Sequence, residues 1–272
     1  MQTTPSTQTV KVAGYEIGGP NFTVIAGPCS IENYDQFLET AKGVKGLGAH
    51  LLRGGIWKMR TSATAFQGLG ESSFDMIRTV LKETGMSLVS EVTDARQIEE
   101  IDDFVSCYQV GSRNMHNYAL LKELGQTRKP VLLKRGLAAY IEEWIKAAEY
   151  VTKGGNPSVI LCERGIRTFE TATRNTLDLN AVVFAKKNTN LPVIVDPSHG
   201  VGIRALIPDL AYASAAAGAD GIIVEVHPRP AEALSDGPQA LTLPDFEMMM
   251  TKLTRILNAV DRPLHPQLNK GH

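Results

Sequence analysis

The feature that most constrains the fold of this chain is the alternation of short apolar runs with longer amphipathic segments. Eight runs rich in aliphatic or β-branched residues lie at 22–26, 50–53, 86–91, 107–110, 130–134, 158–163, 191–196 and 221–226. Strands buried on both faces have this continuous apolar character, and strict alternation with helices favours a parallel sheet. Eight such units in roughly 250 residues predict an α/β fold, a closed (β/α)8 or TIM barrel, rather than an open doubly wound sheet.

The segments between the runs predict the helices, and the two ends of the chain predict small additions to the barrel. Helical spacing of apolar residues is clearest at 140–151, 174–185, 205–217 and 243–257. Val10, Val12 and Tyr15 alternate with polar residues within 9–18, which predicts a hairpin capping the barrel bottom. We therefore expect an N-terminal extension over 1–21, a single catalytic barrel over 22–260 and a loose tail over 261–272.

Composition and charge indicate a small-molecule partner. The formal net charge is −1 and the pI is near 6.6, which argues against electrostatic binding of nucleic acid or of an anionic membrane over a broad surface. No apolar run approaches the roughly 20 residues of a membrane span, and the first ten residues lack the pattern of a signal peptide, so we expect a cytoplasmic protein. Cys29, Cys107 and Cys162 are too few and too scattered for a disulfide framework.

Polar residues collect where the predicted strands end. In a (β/α)8 barrel the loops after the strands converge on one pocket, so chemistry is expected at that face. A single charge at a strand end is usually solvated, but here all eight runs contribute. The residues are Cys29, Arg53 with Lys58 and Arg60, Glu91, Arg113, Lys134, Glu163 with Arg164, Asp196 with His199, and Glu225.

These residues divide into two chemical sets. Six cations in a nearly neutral protein suit a polyanionic ligand that carries phosphate and carboxylate groups. The other set, Cys29, His199, Glu225 and the loop residue Asp236, is compatible with Mn²⁺, Fe²⁺, Co²⁺ or Zn²⁺. Because no CxxC or HxxxH spacing supports a metal site, a packed thiol at Cys29 and a turn residue at Asp236 remain the alternatives.

Several motifs resemble one family. AGPCSIE (26–32), LKRG (133–136), CERG (162–165), DPSH (196–199) and ALSDG (233–237) occur in order within a likeness that runs from about residue 22 to 241. Together they resemble the short, Iβ form of the 3-deoxy-D-arabino-heptulosonate 7-phosphate (DAHP) synthases. The blocks are shared in part with the 3-deoxy-D-manno-octulosonate 8-phosphate (KDO8P) synthases, which use arabinose 5-phosphate.

The resemblance implies a metal-dependent transferase that condenses phosphoenolpyruvate with erythrose 4-phosphate, the first step of the shikimate route to aromatic amino acids. It implies one divalent metal ion (Mn, Fe, Co or Zn) on Cys29, His199, Glu225 and Asp236. It also implies that Cys29, His199 and Lys58 act in catalysis. Lys58 is a candidate to protonate the new alkoxide, although a metal-held water could do so instead. The implied substrate ligands are Arg53, Lys58, Glu91, Ser112, Arg113, Lys134 and Arg164 for phosphoenolpyruvate, and Arg60, Thr61, Ser62 and Asp236 for erythrose 4-phosphate.

The chain departs from the family pattern at one loop. Lys58-Met59-Arg60-Thr61 stands where the family usually has Lys-Pro-Arg-Thr, and it lacks the extra residue of the Lys-Ala-Asn-Arg loop of the KDO8P synthases. We therefore favour the four-carbon aldose, with KDO8P synthase as the alternative. A non-catalytic barrel that serves as a binding or assembly subunit is the alternative from another class.

The resemblance also predicts how the chain assembles and how it is controlled. We expect a homo-oligomer, either a dimer or a tetramer. The stretch before residue 22 has no room for a ferredoxin-like or mutase domain, so we expect the chain to be unregulated on its own or to be regulated by a separate protein. Two histidines are assigned minor roles: His227 is predicted to support the site without binding the metal, and His116 to start a helix.

Overall fold

The computed structural model of the chain describes residues 6–268, and within them ten strands and nine α-helices. The strands are β1 Val10–Val12, β2 Tyr15–Ile17, β3 Thr23–Gly27, β4 Leu51–Arg53, β5 Leu88–Val92, β6 Val105–Val110, β7 Val131–Lys134, β8 Val159–Glu163, β9 Val193–Val195 and β10 Gly221–Glu225. The helices are α1 Tyr34–Gly46, α2 Phe74–Thr84, α3 Arg96–Ile101, α4 Tyr118–Gly125, α5 Ile141–Lys153, α6 Leu179–Asn188, α7 Pro197–Val201, α8 Ile207–Ala216 and α9 Leu243–Ala259.

Strands β3 to β10 form a closed parallel barrel in chain order, and β10 pairs with both β9 and β3. The predicted (β/α)8 fold is confirmed. Gly27 permits the closure at the end of β3: its φ is +153°, and a Cβ there would lie 2.2 Å from the carbonyl oxygen of Arg53 on β4. Within residues 6–268 no helix is both long and apolar enough to cross a membrane.

The barrel interior is filled by apolar side chains, and the N-terminal hairpin packs against them from below. Strand side chains alternate between faces, so one set points inward and the other packs on the helices. The hairpin β1–β2 adds Val10, Val12, Tyr15 and Ile17, all buried, which confirms the predicted cap. The inward layer consists of Ile25, Leu51, Val89, Cys107, Leu132, Ile160, Cys162, Ile194 and Ile223.

Helix α6 begins later than the spacing of apolar residues predicts. The prediction of a helix from residue 174 is wrong, because Asp178 caps the helix by accepting a hydrogen bond from the backbone nitrogen of Ala181 at 3.1 Å. The preceding residues form a loop closed by an antiparallel bridge between Ile166 and Thr176. As a result, Arg174 lies at the mouth of the barrel instead of on a helix.

The C-terminal segment is attached to the barrel, which differs from the predicted loose tail. Phe22 donates a backbone hydrogen bond to Pro263 at 2.8 Å, and Arg262 forms an ion pair with Asp220 at 3.0 Å. These are backbone and long-range contacts, which leave no periodic signal in the sequence. Residues 269–272 of the predicted tail and 1–5 of the predicted extension lie outside the described residues.

The tail also completes a cluster of aromatic rings with two histidines at the barrel bottom. The rings of Tyr15, His50 and His265 meet edge to face, with centroids 5.1–5.6 Å apart. The backbone nitrogen of Val24 donates to Nδ1 of His50 at 2.8 Å, and Nε2 lies 3.1 Å from the carbonyl oxygen of His265. Burial lowers the pKa of His50 to about 4, so the folded protein holds this ring neutral.

We expect the free energy of unfolding to fall as the pH drops from about 6.5 to about 4. The unfolded chain binds a proton at His50 in this window and the folded chain does not, so acid favours unfolding. The loss attributable to His50 is at most about 3 kcal/mol. Denaturant titrations at several pH values should show a flatter dependence for His50→Gln, with His116→Gln, an exposed histidine, as the control. Identical pH profiles for the parent and His50→Gln would contradict the assignment.

Candidate active site

The strand alternation that builds the core also builds a ring of polar side chains at the carboxyl ends of the strands. Two residues beyond the apolar layer, a polar residue points inward on all strands but β3, which has Gly27 there. The ring consists of Arg53, Glu91, Gln109, Lys134, Arg164, Asp196 and Glu225, and all of them are buried. Buried charges require partners or ligands, so this ring marks the chemically active end of the barrel.

Four residues at one side of the ring bring metal-binding atoms together. One ligand atom from each of Cys29, His199, Glu225 and Asp236 lies within 4.8 Å of those of the others. Nε2 of His199 is 3.2 Å from Oε1 of Glu225, which is buried and accepts no hydrogen bond from the described residues. One thiol, one imidazole and two carboxylates, one of them with a buried oxygen that accepts no such bond, fit a divalent transition metal.

Asp196 fixes the orientation of His199. Its Oδ1 caps α7 by accepting from the backbone nitrogen of His199 at 2.9 Å, and its Oδ2 accepts from Nδ1 of the ring at 2.8 Å. Burial lowers the pKa of His199 to about 4, against the opposing effect of Asp196 and Glu225. The ring is therefore neutral at pH 7, with Nε2 directed at the other candidate ligands, as in carboxylate–histidine–metal arrangements.

Asp236 lies in the loop between β10 and α9, well past the end of its strand. Its backbone is left-handed, with φ +53°, which is an uncommon conformation that aspartate tolerates better than most residues. The next residue, Gly237, packs tightly against the backbone of Pro230. A Cβ at this position would lie 2.2 Å from the carbonyl oxygen of Pro230. Sγ of Cys29 donates to Oδ2 of Asp236 at 3.0 Å, and burial raises the pKa of this thiol.

A cavity lined by cations adjoins the four residues. Six of the seven residues that the resemblance implies for phosphoenolpyruvate line this cavity, and Arg53 does not. Nη2 of Arg53 is 3.2 Å from Oε1 of Glu225, and its buried Nη1 has no hydrogen-bond partner among residues 6–268. Within the described chain the cavity is lined by Lys58, Glu91, Ser112, Arg113, Lys134, Arg164 and His199, with Met59, Gln109, Gly111, Leu137, Arg167, Arg174 and Asn175.

The loop after β4 spans the mouth of this cavity. Arg60 donates to Oγ of Ser235 at 2.5 Å, so the loop contacts the residue before Asp236. Thr61 accepts from Nη2 of Arg113 at 3.3 Å. Ser62 is exposed and its hydroxyl pairs with Thr64 at 2.9 Å, so the structure does not bring Ser62 into the cavity.

Sequence reasoning missed the ion cluster that supports two of the cations. Nη1 of Arg135 lies 3.0 Å from Oε2 of Glu163 and 2.9 Å from Oδ2 of Asp178. Glu163, grouped with the strand-end residues, therefore binds Arg135 and does not line the cavity. Lys134 and Arg164 are chain neighbours of this pair, so the cluster fixes the ends of β7 and β8.

Three further residues lie around the candidate ligands. Gln239 and Arg174 contact them, and the amide of Asn175 donates to the carbonyl of His199 at 2.9 Å. These residues carry no local sequence signal. His227 lies 3.6 Å from Glu32 and outside the four-residue group, so its supporting role stays a prediction.

Comparison with known proteins matches this architecture to a family. The DAHP synthetase I family model matches residues 6–259. The chain is 44% identical over 256 residues to the phospho-2-dehydro-3-deoxyheptonate aldolase of Thermotoga maritima, covering 94% of this chain and 76% of that protein. A 2-dehydro-3-deoxyphosphooctonate aldolase of Bradyrhizobium diazoefficiens is 32% identical over 253 residues, covering 85% of this chain and 88% of the relative.

Solved structures give the same result. The crystal structure of the Thermotoga maritima DAHP synthase superposes with a TM-score of 0.92 at 43% identity, covering 96% of this chain and 76% of that one. A truncated form of 3-deoxy-D-arabino-heptulosonate 7-phosphate synthase from the same organism gives 0.89 at 41% identity and covers 96% of both chains. On the motifs, the barrel and these matches, the chain belongs to the DAHP synthetase I family.

Proposed function

We propose that the chain condenses phosphoenolpyruvate with erythrose 4-phosphate to give DAHP and phosphate. The main support for this proposal is that the four candidate metal ligands lie beside a cation-lined cavity at one end of the barrel. The heptulosonate relative is also more similar to the chain than the octulosonate relative, at 44% against 32% identity. Every metal ligand and cation that the family resemblance implies is present in this sequence, which argues against the alternative of a non-catalytic binding or assembly subunit.

The cations would bind and orient phosphoenolpyruvate. Lys134 and Arg164 lie on neighbouring strands, and Arg113 follows the strand before them, so the three can surround one phosphate. Arg53 would bind the substrate carboxylate through its buried Nη1, which has no hydrogen-bond partner among the described residues. C3 of phosphoenolpyruvate then forms a bond to the aldehyde carbon, water adds at C2, and phosphate leaves with cleavage of its bond to C2.

The candidate metal ligands lie where the aldehyde would meet phosphoenolpyruvate. Cys29, His199, Glu225 and Asp236 would hold the ion, which supplies Lewis-acid polarisation of the aldehyde when bound. Burial alone would lower the pKa of Lys58, but Cys29, Glu91 and Glu225 raise it above its ordinary value. Lys58 is therefore protonated at neutral pH, and its Nζ can donate a proton to the developing alkoxide.

The first test concerns Lys134. Replacement by methionine should lower kcat/KM for phosphoenolpyruvate at least tenfold, about 1.4 kcal/mol of transition-state binding, because a phosphate ligand is lost. It also removes the 2.5 Å contact from Nζ to Asp196, which orients His199. Steady-state kinetics are the measurement, and Lys146→Met, on the exposed face of α5, is the control. An unchanged kcat/KM would refute the assignment.

The second test compares aldoses. The Arg60–Ser235 contact ties the short loop beside Asp236, so the distance between the aldehyde end and the phosphate end should suit four carbons. A five-carbon sugar would leave polar groups unpaired, and we expect kcat/KM for erythrose 4-phosphate to exceed that for arabinose 5-phosphate at least tenfold. Equal values, or a preference for arabinose 5-phosphate, would replace the proposal with octulosonate synthesis.

A further inference from the structure

Gln239 is a buried glutamine that joins a candidate metal ligand to a cation at the rim. Its side-chain Nε2 donates to Oε2 of Glu225 at 2.6 Å, and its Oε1 accepts from Nη1 of Arg174 at 2.5 Å. The residue is only 3% exposed, so water has little access to compete for either bond. Gln239 lies on the loop after β10 that also carries Asp236.

The chemistry of the two partners fixes the orientation of the amide. A guanidinium can only donate hydrogen bonds and an ionised carboxylate can only accept them. The amide oxygen must therefore face Arg174, and the amide nitrogen must face Glu225. Glutamate at this position would place a second carboxylate against Glu225, and methionine would donate nothing.

This bond determines which oxygen of Glu225 is available to a metal. Oε2 accepts from Gln239, whereas Oε1 accepts no hydrogen bond from residues 6–268 and faces Nε2 of His199 at 3.2 Å. Arg53 lies 3.2 Å from the same Oε1 and attracts the carboxylate toward its guanidinium. Gln239 holds the carboxylate from its other side, against rotation toward Arg53.

Arg174 extends the contact to the other ligands. The nitrogen that binds Gln239 is also 3.4 Å from Oδ1 of Asp236. The backbone nitrogen of Arg174 donates to the carbonyl of Val201 at 2.9 Å, at the end of the helix that carries His199. One arginine thus links the strand, helix and loop that present three of the four ligands.

We propose that Gln239, held by Arg174, is a positioning residue that orients the Glu225 carboxylate for metal binding. The inference rests on the metal site of the proposed function. It does not place Gln239 on the metal or on a substrate. Outer groups that orient ligands typically change metal affinity by 10- to 100-fold when they are removed.

The test measures metal binding directly. Metal-free protein is titrated with Co²⁺, and the charge-transfer absorption expected from the Cys29 thiolate reports binding and geometry. Gln239→Met, which keeps the side-chain length, should weaken Co²⁺ binding 10- to 100-fold and shift the absorption. The control is Gln36→Met, a second buried glutamine whose Oε1 accepts from the backbone of Glu32 and which touches none of the four ligands.

A second variant keeps the proposal testable if Gln239→Met folds poorly. The side chain of Arg174 is 36% exposed, so Arg174→Met should disturb the core less than a change at Gln239, and it should weaken Co²⁺ binding several-fold. The double variant should lose little more than Gln239→Met alone, because both residues act mainly through Glu225.

Affinities of Gln239→Met and Arg174→Met within twofold of the parent, with the parental spectrum, would overturn the proposal. A parent protein that binds Co²⁺ without a Cys29-dependent band would overturn it as well. Protein that binds Co²⁺ in a Gln239-dependent manner but forms no product from phosphoenolpyruvate and erythrose 4-phosphate would support the positioning role and refute the proposed reaction.

Discussion

Removing the divalent metal with a strong chelator is expected to reduce the condensation rate by at least about a hundredfold, which corresponds to about 2.7 kcal/mol of activation free energy. The reason is the donor set: Cys29, His199, Glu225 and Asp236 place their ligand atoms within 4.8 Å of one another beside the cavity. Without an ion, the cationic side chains can still bind phosphoenolpyruvate, but little polarises the aldehyde. Initial rates after chelation and desalting are the measurement.

Mn²⁺ or Co²⁺ should restore the activity of the metal-free protein, whereas Mg²⁺ should restore less, because a thiolate is a poor ligand for a hard cation. The control is Cys29→Ser, which should need a higher concentration of metal for the same rate while its melting temperature changes little. Full turnover by a sample verified to contain no metal would refute the proposed metal dependence.

Replacing Arg135 with methionine is expected to lower the free energy of unfolding by about 3–5 kcal/mol, the usual cost of removing one partner of a buried ion pair. Arg135 is buried and binds both Glu163, which is fully buried, and Asp178, the N-cap of α6. Its loss leaves Glu163 without a cation, and burial already raises the pKa of that carboxyl group. Denaturant unfolding of metal-free protein is the measurement.

Arg78 provides the matched control for Arg135. It also contacts two carboxylates, Asp75 and Asp103, but its side chain is 41% exposed. Surface ion pairs contribute about 0–1 kcal/mol, so Arg78→Met should change the free energy of unfolding by no more than about 1 kcal/mol. Similar losses for the two variants would show that burial does not govern the contribution of Arg135.

The barrel could be predicted from sequence because its strands are buried on both faces. The apolar runs at 158–163 and 221–226 match β8 and β10 to within one residue at each end. The hairpin was predictable for a related reason, since one of its faces packs on the barrel and alternation results. The start of α6 could not be predicted from the spacing of apolar residues, because the N-cap at Asp178 determines where the loop ends and the helix begins.

The site was less predictable, because its parts are distant in sequence. Cys29 and Asp236 are hydrogen-bonded across 207 positions, so no spacing rule could pair them. Residue types alone made the four residues a possible metal site, and the family resemblance was needed to favour it over a packed thiol and a turn residue. Lys134 and Arg135 are adjacent in sequence, but Lys134 lines the cavity whereas Arg135 binds Glu163 and Asp178 behind it. Period-two alternation could have separated them, whereas nothing local marks Gln239 as a partner of Glu225.

The position of the N-terminal hairpin has a consequence for folding. Strands β1 and β2 leave the ribosome before the barrel strands, yet the surface they cover consists of side chains from all eight of those strands. That surface is complete only when β10, which begins 204 positions after the end of β2, pairs with β3. Contacts so distant in sequence form slowly. We therefore expect the hairpin, although synthesised before the barrel, to dock among the last elements, so a nascent chain must keep Val10, Val12 and Ile17 out of contact with other chains until then.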